Sequence, residues 1–154
     1  GLADWAPERR PVAIDVEVQR GCLPQVCTQA HALSIDVVAS FHDFEATPGD
    51  NQLAEVLAGM NYAGADVLKF ACMAHSATDA ARVLGAQAWA HEAYDRPVIG
   101  ISMGPNGAPT RLVGSALGSA ATFATLPGAE GSAPGQFTVE QVRAVLDIVE
   151  GAGI

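Results

Sequence analysis

The chain has 154 residues, a net charge of −9, and 49% hydrophobic but only 16% charged residues. So acidic a sequence lacks the cationic surface that nucleic acids and anionic membranes bind, and neither is an expected partner. Its apolar runs are shorter than the roughly 20 residues that cross a bilayer. Its N-terminus lacks the apolar core of a signal peptide. Its three cysteines are an odd number and cannot form a complete set of disulfides. We therefore expect a soluble cytoplasmic protein.

Short apolar segments alternate with longer amphipathic segments along the chain. The predicted strands are residues 12–18, 35–41, 66–73, 98–103 and 121–126. The predicted helices cover about residues 22–33, 51–60, 77–94, 112–117 and 138–149, with Ser76 and Thr138 capping the third and the fifth. Five βα units in succession predict an α/β fold with a parallel sheet. Residues 1–11 are left unassigned, and residues 12–154 are the predicted domain.

Two closures of such a sheet are common, an open doubly wound sheet and a (β/α)8 barrel. No GxGxxG turn follows the first strand, where residues 19–23 read QRGCL, and there is no Walker-type phosphate loop. Polar residues of one parity on the strands fit a barrel interior near its mouth: Asp15, Glu17, Ser40, His42 and Lys69. Because a full barrel takes about 250 residues, five units predict an incomplete (β/α)8 TIM barrel.

Lys69 is the only lysine among the eight basic residues. Strand alternation turns Leu68 and Phe70 toward the helices and Lys69 to the opposite face. Apolar surroundings disfavour an ammonium group, and a neutral amine is what a carbonyl-trapping lysine needs. The alternative is a lysine that extends to solvent or pairs with Asp66 or Glu17.

His42 comes at the end of the second predicted strand. Parallel sheets carry their chemistry at that edge, and histidine is the usual proton shuttle near neutral pH. The alternative is a histidine that caps its own loop through a neighbouring acidic residue. His75, after the third strand, is a second candidate, whereas His31 and His91 lie in predicted helices and are expected at the surface.

The segments after the fourth and fifth strands offer groups that suit an anionic, oxygen-rich ligand. Arg111, at the expected start of a helix, can bind a carboxylate through its two-pronged guanidinium. Ser132 and Gln136 add neutral hydrogen-bonding groups. The alternative for each is ordinary turn chemistry with a surface arginine. No spacing of His, Cys or Asp residues matches a metal site.

Six short motifs occur in a fixed order: Ser-Phe-His-Asp-Phe-Glu-Ala-Thr-Pro (40–48), Gly-Ala-Asp-Val-Leu-Lys (64–69), Ile-Ser-Met-Gly (101–104), Thr-Arg-Leu-Val-Gly (110–114), Gly-Ser-Ala-Ala-Thr-Phe (118–123) and Ala-Pro-Gly-Gln (133–136). From about residue 12 to the C-terminus, their order and spacing resemble class I 3-dehydroquinate dehydratases. The resemblance implies that this chain corresponds to the C-terminal two-thirds of the family's barrel, which contains strands four to eight.

The resemblance also implies a mechanism, the Schiff-base dehydration of 3-dehydroquinate to 3-dehydroshikimate in the shikimate pathway. Lys69 would condense with the C3 ketone, and His42 would remove the C2 proton and protonate the departing C1 hydroxyl. Arg111 would hold the substrate carboxylate. No metal or organic cofactor is expected, because the lysine is the electron sink. The other implied substrate contacts are Ser132 and Gln136 at its oxygens and Met103 and Phe123 as apolar walls.

The sequence departs from the family pattern in two places. Ala74 and His75 follow Met73 where the family has a proline, and nothing before residue 12 matches the family's first three βα units, with their Glu-x-Arg and Arg…Glu-Gly-Gly segments. Three functions stay open: an active dehydratase, an inactive remnant of that family, and another class I Schiff-base lyase or aldolase. An incomplete barrel exposes strand edges, so we expect a homodimer or association through those edges.

Overall fold

The computed structural model describes residues 1–126, 128–129, 131 and 135–151. Four parallel strands lie side by side in chain order: β1 (Ala13–Glu17), β2 (Asp36–Asp43), β3 (Val67–Met73) and β4 (Val98–Met103). Three helices join consecutive strands, and two follow β4: α1 (Leu23–His31), α2 (Asp50–Tyr62), α3 (Ala77–Ala93), α4 (Ala108–Leu112) and α5 (Val139–Gly151). Short 3-10 turns occupy Leu2–Asp4, Pro7–Arg9, Val18–Arg20, Pro105–Gly107 and Gly114–Leu117. The predicted alternation is confirmed over these elements.

Both predicted N-caps form. The Ser76 hydroxyl accepts a hydrogen bond from the Asp79 amide at 3.2 Å, and the Asp79 carboxylate accepts one from the Ser76 amide at 3.0 Å. Thr138 and Gln141 make the same reciprocal pair at the start of α5, at 3.3 and 2.9 Å. Such reciprocal capping satisfies backbone amides that have no partner inside the helix. It explains why α3 and α5 begin where the sequence predicted. In the described part of the chain, no helix has the length and apolarity to cross a membrane.

The sheet buries side chains on both of its faces. One face packs against α1–α3 and forms the main core, to which each layer contributes fully buried residues: Val37, Ala39, Leu53, Leu57, Met60, Leu68, Phe70, Cys72, Val83, Ala90 and Val98. A smaller apolar cluster lies on the opposite face of β3 and β4: Ala71, Ile99, Ile101 and Met103. The alternation predicted around Lys69 is therefore confirmed, because Leu68 and Phe70 lie on the helix side and Ala71 lies on the other.

The predicted fifth strand, residues 121–126, does not form. Ser119 makes an isolated bridge with Val98, and the Ala120 amide donates to the Val98 carbonyl at 2.8 Å, but Thr125 bridges instead to Thr138 just before α5. The segment thus pairs with β4 only at its beginning. Weak β-propensity is not the reason, because the sequence Ala-Thr-Phe-Ala-Thr-Leu contains Thr and Phe, which favour strands. The segment lacks a continuous ladder, since its pairing with β4 is limited to Ser119 and Ala120.

The predicted short helix at residues 112–117 begins earlier than expected. The structure has α4 at Ala108–Leu112 and a 3-10 turn at Gly114–Leu117. Pro109 fits the first turn of α4, where the missing amide hydrogen is not needed. A Cβ on Gly107 would lie 2.0 Å from the Ser102 carbonyl oxygen, so only glycine lets the chain pass this close to β4. This close passage brings α4 to the carboxyl end of the sheet.

Candidate active site

A cavity of about 180 Å³ lies on the sheet face opposite α1–α3, toward the carboxyl ends of the strands. Polar, aromatic and aliphatic side chains line it: His42, Phe44, Lys69, Ala71, Ile101, Met103, Arg111, Phe123 and Gln136. The structure therefore brings together six predicted site residues that come from six different segments of the chain. Ser132, the seventh, lies outside the described residues. Phe44, Ala71 and Ile101 were not singled out from the sequence.

Lys69 extends from β3 into this cavity with 14% of its side chain exposed. Its Nζ lies 3.0 Å from Asp15 Oδ2 and 5.4 Å from the centroid of the Phe123 ring. The second distance is within the range of a cation–π contact. The ion-pair partner is thus Asp15, not the Asp66 or Glu17 considered from the sequence.

Asp15 lies on β1 and binds two neighbouring strands at once. Its Oδ1 accepts a hydrogen bond from the Ser40 hydroxyl, and its Oδ2 binds the Lys69 amine. Burial raises the pKa of Asp15, but the hydrogen bonds from Ser40 and Lys69 and the positive charge of Lys69 outweigh it and hold that pKa below its usual value. Asp15 is therefore a carboxylate at neutral pH, and it fixes the position of the Lys69 amine.

Asp66 belongs to a separate cluster just before β3. It accepts hydrogen bonds from the Val37 amide at 2.8 Å and from His31 Nε2 at 2.7 Å, and it lies 3.5 Å from Arg96. Burial raises the pKa of Asp66, yet these contacts outweigh it and keep the pKa low. Asp66 therefore ties α1 and the loop before β4 to the sheet, away from Lys69.

His42 is held by β1 as well as by its own strand. Its Nδ1 lies 2.6 Å from Glu17 Oε2, and its ring stacks on Phe44 with the centroids 5.7 Å apart. His42 does not cap the following loop. Asp43 does so, because its carboxylate accepts from the amides two and three residues later, both at 2.9 Å.

His75 has a different place from the one that its position after β3 suggested. Its Nε2 lies 2.6 Å from the Glu45 carbonyl oxygen, a contact that joins the loops after β2 and β3. It is not among the described residues that line the cavity. His31 and His91, expected at the surface, are both exposed.

Arg111 is the fourth residue of α4 and only 2% exposed, so it is not the surface arginine of the alternative reading. Burial lowers the pKa of its guanidinium below the ordinary value. Two threonines fix its backbone: Thr110 Oγ1 accepts from the Ser102 amide at 2.9 Å, and Thr122 Oγ1 donates to the Arg111 carbonyl at 3.0 Å. The cation therefore reaches the cavity from a rigid support.

Gln136 reaches the cavity because the chain before it passes close to the loop after β4. A Cβ on Gly135 would lie 2.7 Å from the Gly104 carbonyl oxygen, and Gly135 has φ +78°, a region that favours glycine. This contact explains why the Ala-Pro-Gly-Gln motif needs its glycine. It joins the segment before α5 to the mouth of the cavity.

Gln87 is a supporting residue that was not identified from the sequence. It is fully buried on α3, accepts a hydrogen bond from the Gly100 amide at 3.0 Å, and donates to the carbonyls of Gly114 and Leu117 at 2.9 and 3.1 Å. These bonds join α3, β4 and the turn after α4. A glutamine on the core side of an amphipathic helix is the signal that could have identified it.

The three cysteines, Cys22, Cys27 and Cys72, are free thiols. Burial raises the pKa of Cys72 to about 12, which leaves it protonated at neutral pH. Among the described residues, no three or more His, Cys, Asp or Glu side chains are grouped closely enough to hold a metal ion.

The sequence and the fold were compared with known proteins. The family model of type I 3-dehydroquinase matches residues 2–152. The chain belongs to the type I 3-dehydroquinase family. Similar proteins include the 3-dehydroquinate dehydratases of Albidiferax ferrireducens, 42% identical over 84% of this chain and 48% of that protein, and of Listeria welshimeri, 38% identical over 88% of this chain and 54% of that protein.

Solved structures of this family share the fold. The 3-dehydroquinate dehydratase of Geobacillus kaustophilus matches 92% of this chain and 55% of its own length, with 35% identity and a TM-score of 0.87. The type I enzyme of Clostridium difficile, solved with covalently modified comenic acid, matches 92% of this chain and 56% of its own length, with 33% identity and a TM-score of 0.83. The chain therefore has the fold of part of the family's (β/α)8 barrel and spans about half the length of the relatives that it matches.

Proposed function

We propose that the protein is a Schiff-base hydro-lyase that converts 3-dehydroquinate into 3-dehydroshikimate. The observation that carries the proposal is that Lys69, His42 and Arg111 line one cavity although they come from β3, β2 and α4. An amine, an acid–base group and a carboxylate-binding cation are the three functions that this dehydration requires. Membership of the type I 3-dehydroquinase family names the substrate.

The reaction begins at the Lys69 amine. The Lys69 ammonium first gives up a proton; the neutral amine then attacks the C3 ketone, and loss of water from the carbinolamine gives an iminium ion. The iminium withdraws electrons from C2 and acidifies its proton. His42 removes that proton, and the resulting enamine expels the C1 hydroxyl as His42 returns the proton to it, so that water leaves. Hydrolysis of the conjugated iminium then releases the enone product and restores Lys69.

The remaining residues of the cavity bind the substrate ring. Arg111 holds the C1 carboxylate through its guanidinium, and Gln136 reaches a ring hydroxyl. Met103 and Phe123 are the apolar walls. Ser132 is assigned to a substrate oxygen by its motif alone. The lysine is the electron sink in this scheme, so it requires neither a metal nor an organic cofactor.

Borohydride trapping tests the proposal directly. The full chain is incubated with 3-dehydroquinate and sodium borohydride, and peptide mass mapping locates the reduced adduct. We expect the adduct on Lys69 and its loss in Lys69→Arg, a clean comparison because Lys69 is the sole lysine. A folded chain without an adduct would identify an inactive member of the family. An adduct without the ultraviolet absorbance of a conjugated enone would indicate another Schiff-base lyase or an aldolase.

We also propose that the chain associates through the edge of its sheet, as a homodimer or with a further part of a barrel. Among the described residues, β1 pairs only with β2, so the outer edge of β1 has unpaired backbone groups. Val12, next to that edge, is 87% exposed. Sedimentation should detect association, and a monomer with a high melting temperature would contradict it. A cytoplasmic location is proposed with it, since free thiols persist in a reducing compartment.

A further inference from the structure

Glu17 of β1 contacts the imidazole ring of His42, the acid–base residue of the proposed reaction. Glu17 is the last residue of β1, and its Oε2 lies 2.6 Å from His42 Nδ1. About a quarter of each side chain is exposed, 25% for Glu17 and 27% for His42. A hydrogen bond this short, partly shielded from water, constrains the ring more strongly than a surface contact does.

The register of the sheet produces this contact. Glu17 lies opposite Ser40 across the β1–β2 ladder, and His42 is two residues further along β2 on the same face. Asp15, two residues before Glu17 on β1, makes the equivalent contact: it lies opposite Val38 and binds Ser40, two residues further along β2. The two carboxylates of β1 therefore each reach two residues forward onto β2. The geometry results from the backbone pairing and does not depend on a flexible loop.

Two further contacts limit the movement of His42. Its ring stacks on Phe44, with an angle of 8° between the ring planes. Its carbonyl oxygen accepts a hydrogen bond from Gln19 Nε2 at 3.4 Å, and Gln19 belongs to the turn that follows Glu17. Glu17 and Phe44 thus hold the side chain of His42, and Gln19 holds its backbone, so the orientation of the ring is set before any substrate binds.

A carboxylate can only accept hydrogen bonds, so the His42 nitrogen that faces Glu17 must carry a proton. A neutral imidazole has one protonated and one bare nitrogen, which makes Nε2 the bare one. We infer that Glu17 is a positioning residue that fixes His42 in the Nδ1–H tautomer and thereby makes Nε2 the nitrogen that moves protons. The inference rests on the proposed dehydration for its catalytic consequence, but the tautomer can be measured without activity.

The two proton transfers of the reaction both benefit from this arrangement. When Nε2 takes the C2 proton, the ring becomes a cation that the Glu17 carboxylate stabilises at Nδ1. The same Nε2–H then protonates the departing hydroxyl, and the ring returns to its starting tautomer without rotating. Loss of the carboxylate lets the Nε2–H tautomer compete, and that form cannot accept a proton at the cavity. General acid–base catalysis of this kind contributes about 10²–10⁴-fold to a rate.

The test combines a spectroscopic and a kinetic measurement on the full chain. Long-range 1H–15N correlation of the labelled protein at alkaline pH, with the His42 signals assigned by their loss in His42→Asn, reports which ring nitrogen carries the proton. We expect Nδ1–H in the wild type and a mixture of both tautomers in Glu17→Gln, whose amide can donate as well as accept. The kcat of Glu17→Gln should fall about 30-fold or more, with KM changed less than about threefold.

Glu92→Gln is the matched control, because it makes the same substitution at an exposed position of α3. It should leave both the tautomer and kcat unchanged. Glu17→Asp keeps the charge and should retain the Nδ1–H form even if it shortens the reach of the carboxylate. An Nε2–H ring in the wild type, or an unchanged tautomer in a folded Glu17→Gln, would overturn the inference. Absence of a Lys69 adduct, in contrast, would overturn the proposed dehydration alone.

Discussion

Asp15 and Lys69 form an ion pair although their strands are not neighbours. Asp15 Oδ2 on β1 and Lys69 Nζ on β3 are 3.0 Å apart, and β2 lies between the two strands. Ser40 of β2 lies opposite Lys69 in the ladder and donates to the other oxygen of Asp15. One carboxylate thus ties three strands together on the cavity face of the sheet.

The pKa of Asp15 makes the contribution of this carboxylate to stability depend on pH. Its folded-state pKa lies below the ordinary value of 3.8, so the stabilisation is fully present above that value and is lost as the pH falls through the folded-state pKa. Because 49% of the Asp15 side chain is exposed, we expect Asp15→Asn to lose only about 0.5–1 kcal/mol at pH 7. Urea unfolding at several pH values measures the difference.

The difference between wild type and Asp15→Asn should begin to shrink as the pH falls below 3.8, where the unfolded chain takes up the proton first, and should vanish once the pH is below the lowered folded-state pKa of Asp15. Asp36→Asn, at an exposed position at the start of β2, is the control and should change little at any pH. A loss of stability in Asp15→Asn that is as large at pH 3 as at pH 7 would show that the charge is not its source.

The sequence predicted which polar side chains share a face of the sheet, but not which of them bind each other. Strand parity was enough to group Asp15, Glu17, Ser40, His42 and Lys69. Pairing Glu17 with His42 and Asp15 with Lys69 also requires the register between strands, which residues more than 20 positions apart in the chain determine together. No local pattern contains that information.

The failed fifth strand has a related cause. Residues 121–126 include the strand-favouring Thr122, Phe123 and Thr125, yet the structure pairs Thr125 with Thr138, and β4 makes one isolated bridge to this region, through Ser119. Whether a segment with favourable β-propensity becomes a strand still depends on the neighbouring strands available to it. The ordered motifs were more informative here, because they named Arg111, Phe123 and Gln136, which line the cavity although none of the described residues between them forms a ladder with β4 beyond Ser119.

Gln87 should be among the most sensitive positions for stability. Gln87→Leu keeps the approximate volume but leaves the buried Gly100 amide, the buried Gly114 carbonyl and the partly buried Leu117 carbonyl without their partner. Unsatisfied buried groups each cost about 1–3 kcal/mol, so we expect a loss of about 3 kcal/mol or more in urea unfolding. Gln25→Leu, exposed on α1, should stay within about 0.5 kcal/mol of the wild type. An equally small loss in Gln87→Leu would contradict the anchoring role.

The cysteines should differ in their reactivity toward iodoacetamide at pH 8. Cys22 is partly exposed, whereas Cys27 and Cys72 are buried and burial raises the pKa of each, for Cys72 to about 12. Since the thiolate is the reacting form, we expect Cys22 to be modified about 100-fold faster than the other two in the folded chain. Peptide mass mapping measures each rate, and urea should remove the difference. Fast modification of Cys72 in the folded chain would show that β3 opens readily.

Arg111→Lys tests whether the guanidinium itself, and not only its charge, binds the substrate carboxylate. A lysine keeps the positive charge but cannot donate two parallel hydrogen bonds. We expect the 3-dehydroquinate concentration that gives half-maximal trapping of Lys69 to rise about 10- to 100-fold, equivalent to about 1.4–2.8 kcal/mol. Arg143→Lys, exposed on α5, is the matched control and should leave this concentration unchanged. Because each variant contains a second lysine, peptide mapping must confirm that the adduct is on Lys69. An Arg111→Lys variant with the concentration dependence of the wild type would place the carboxylate of the substrate elsewhere in the cavity.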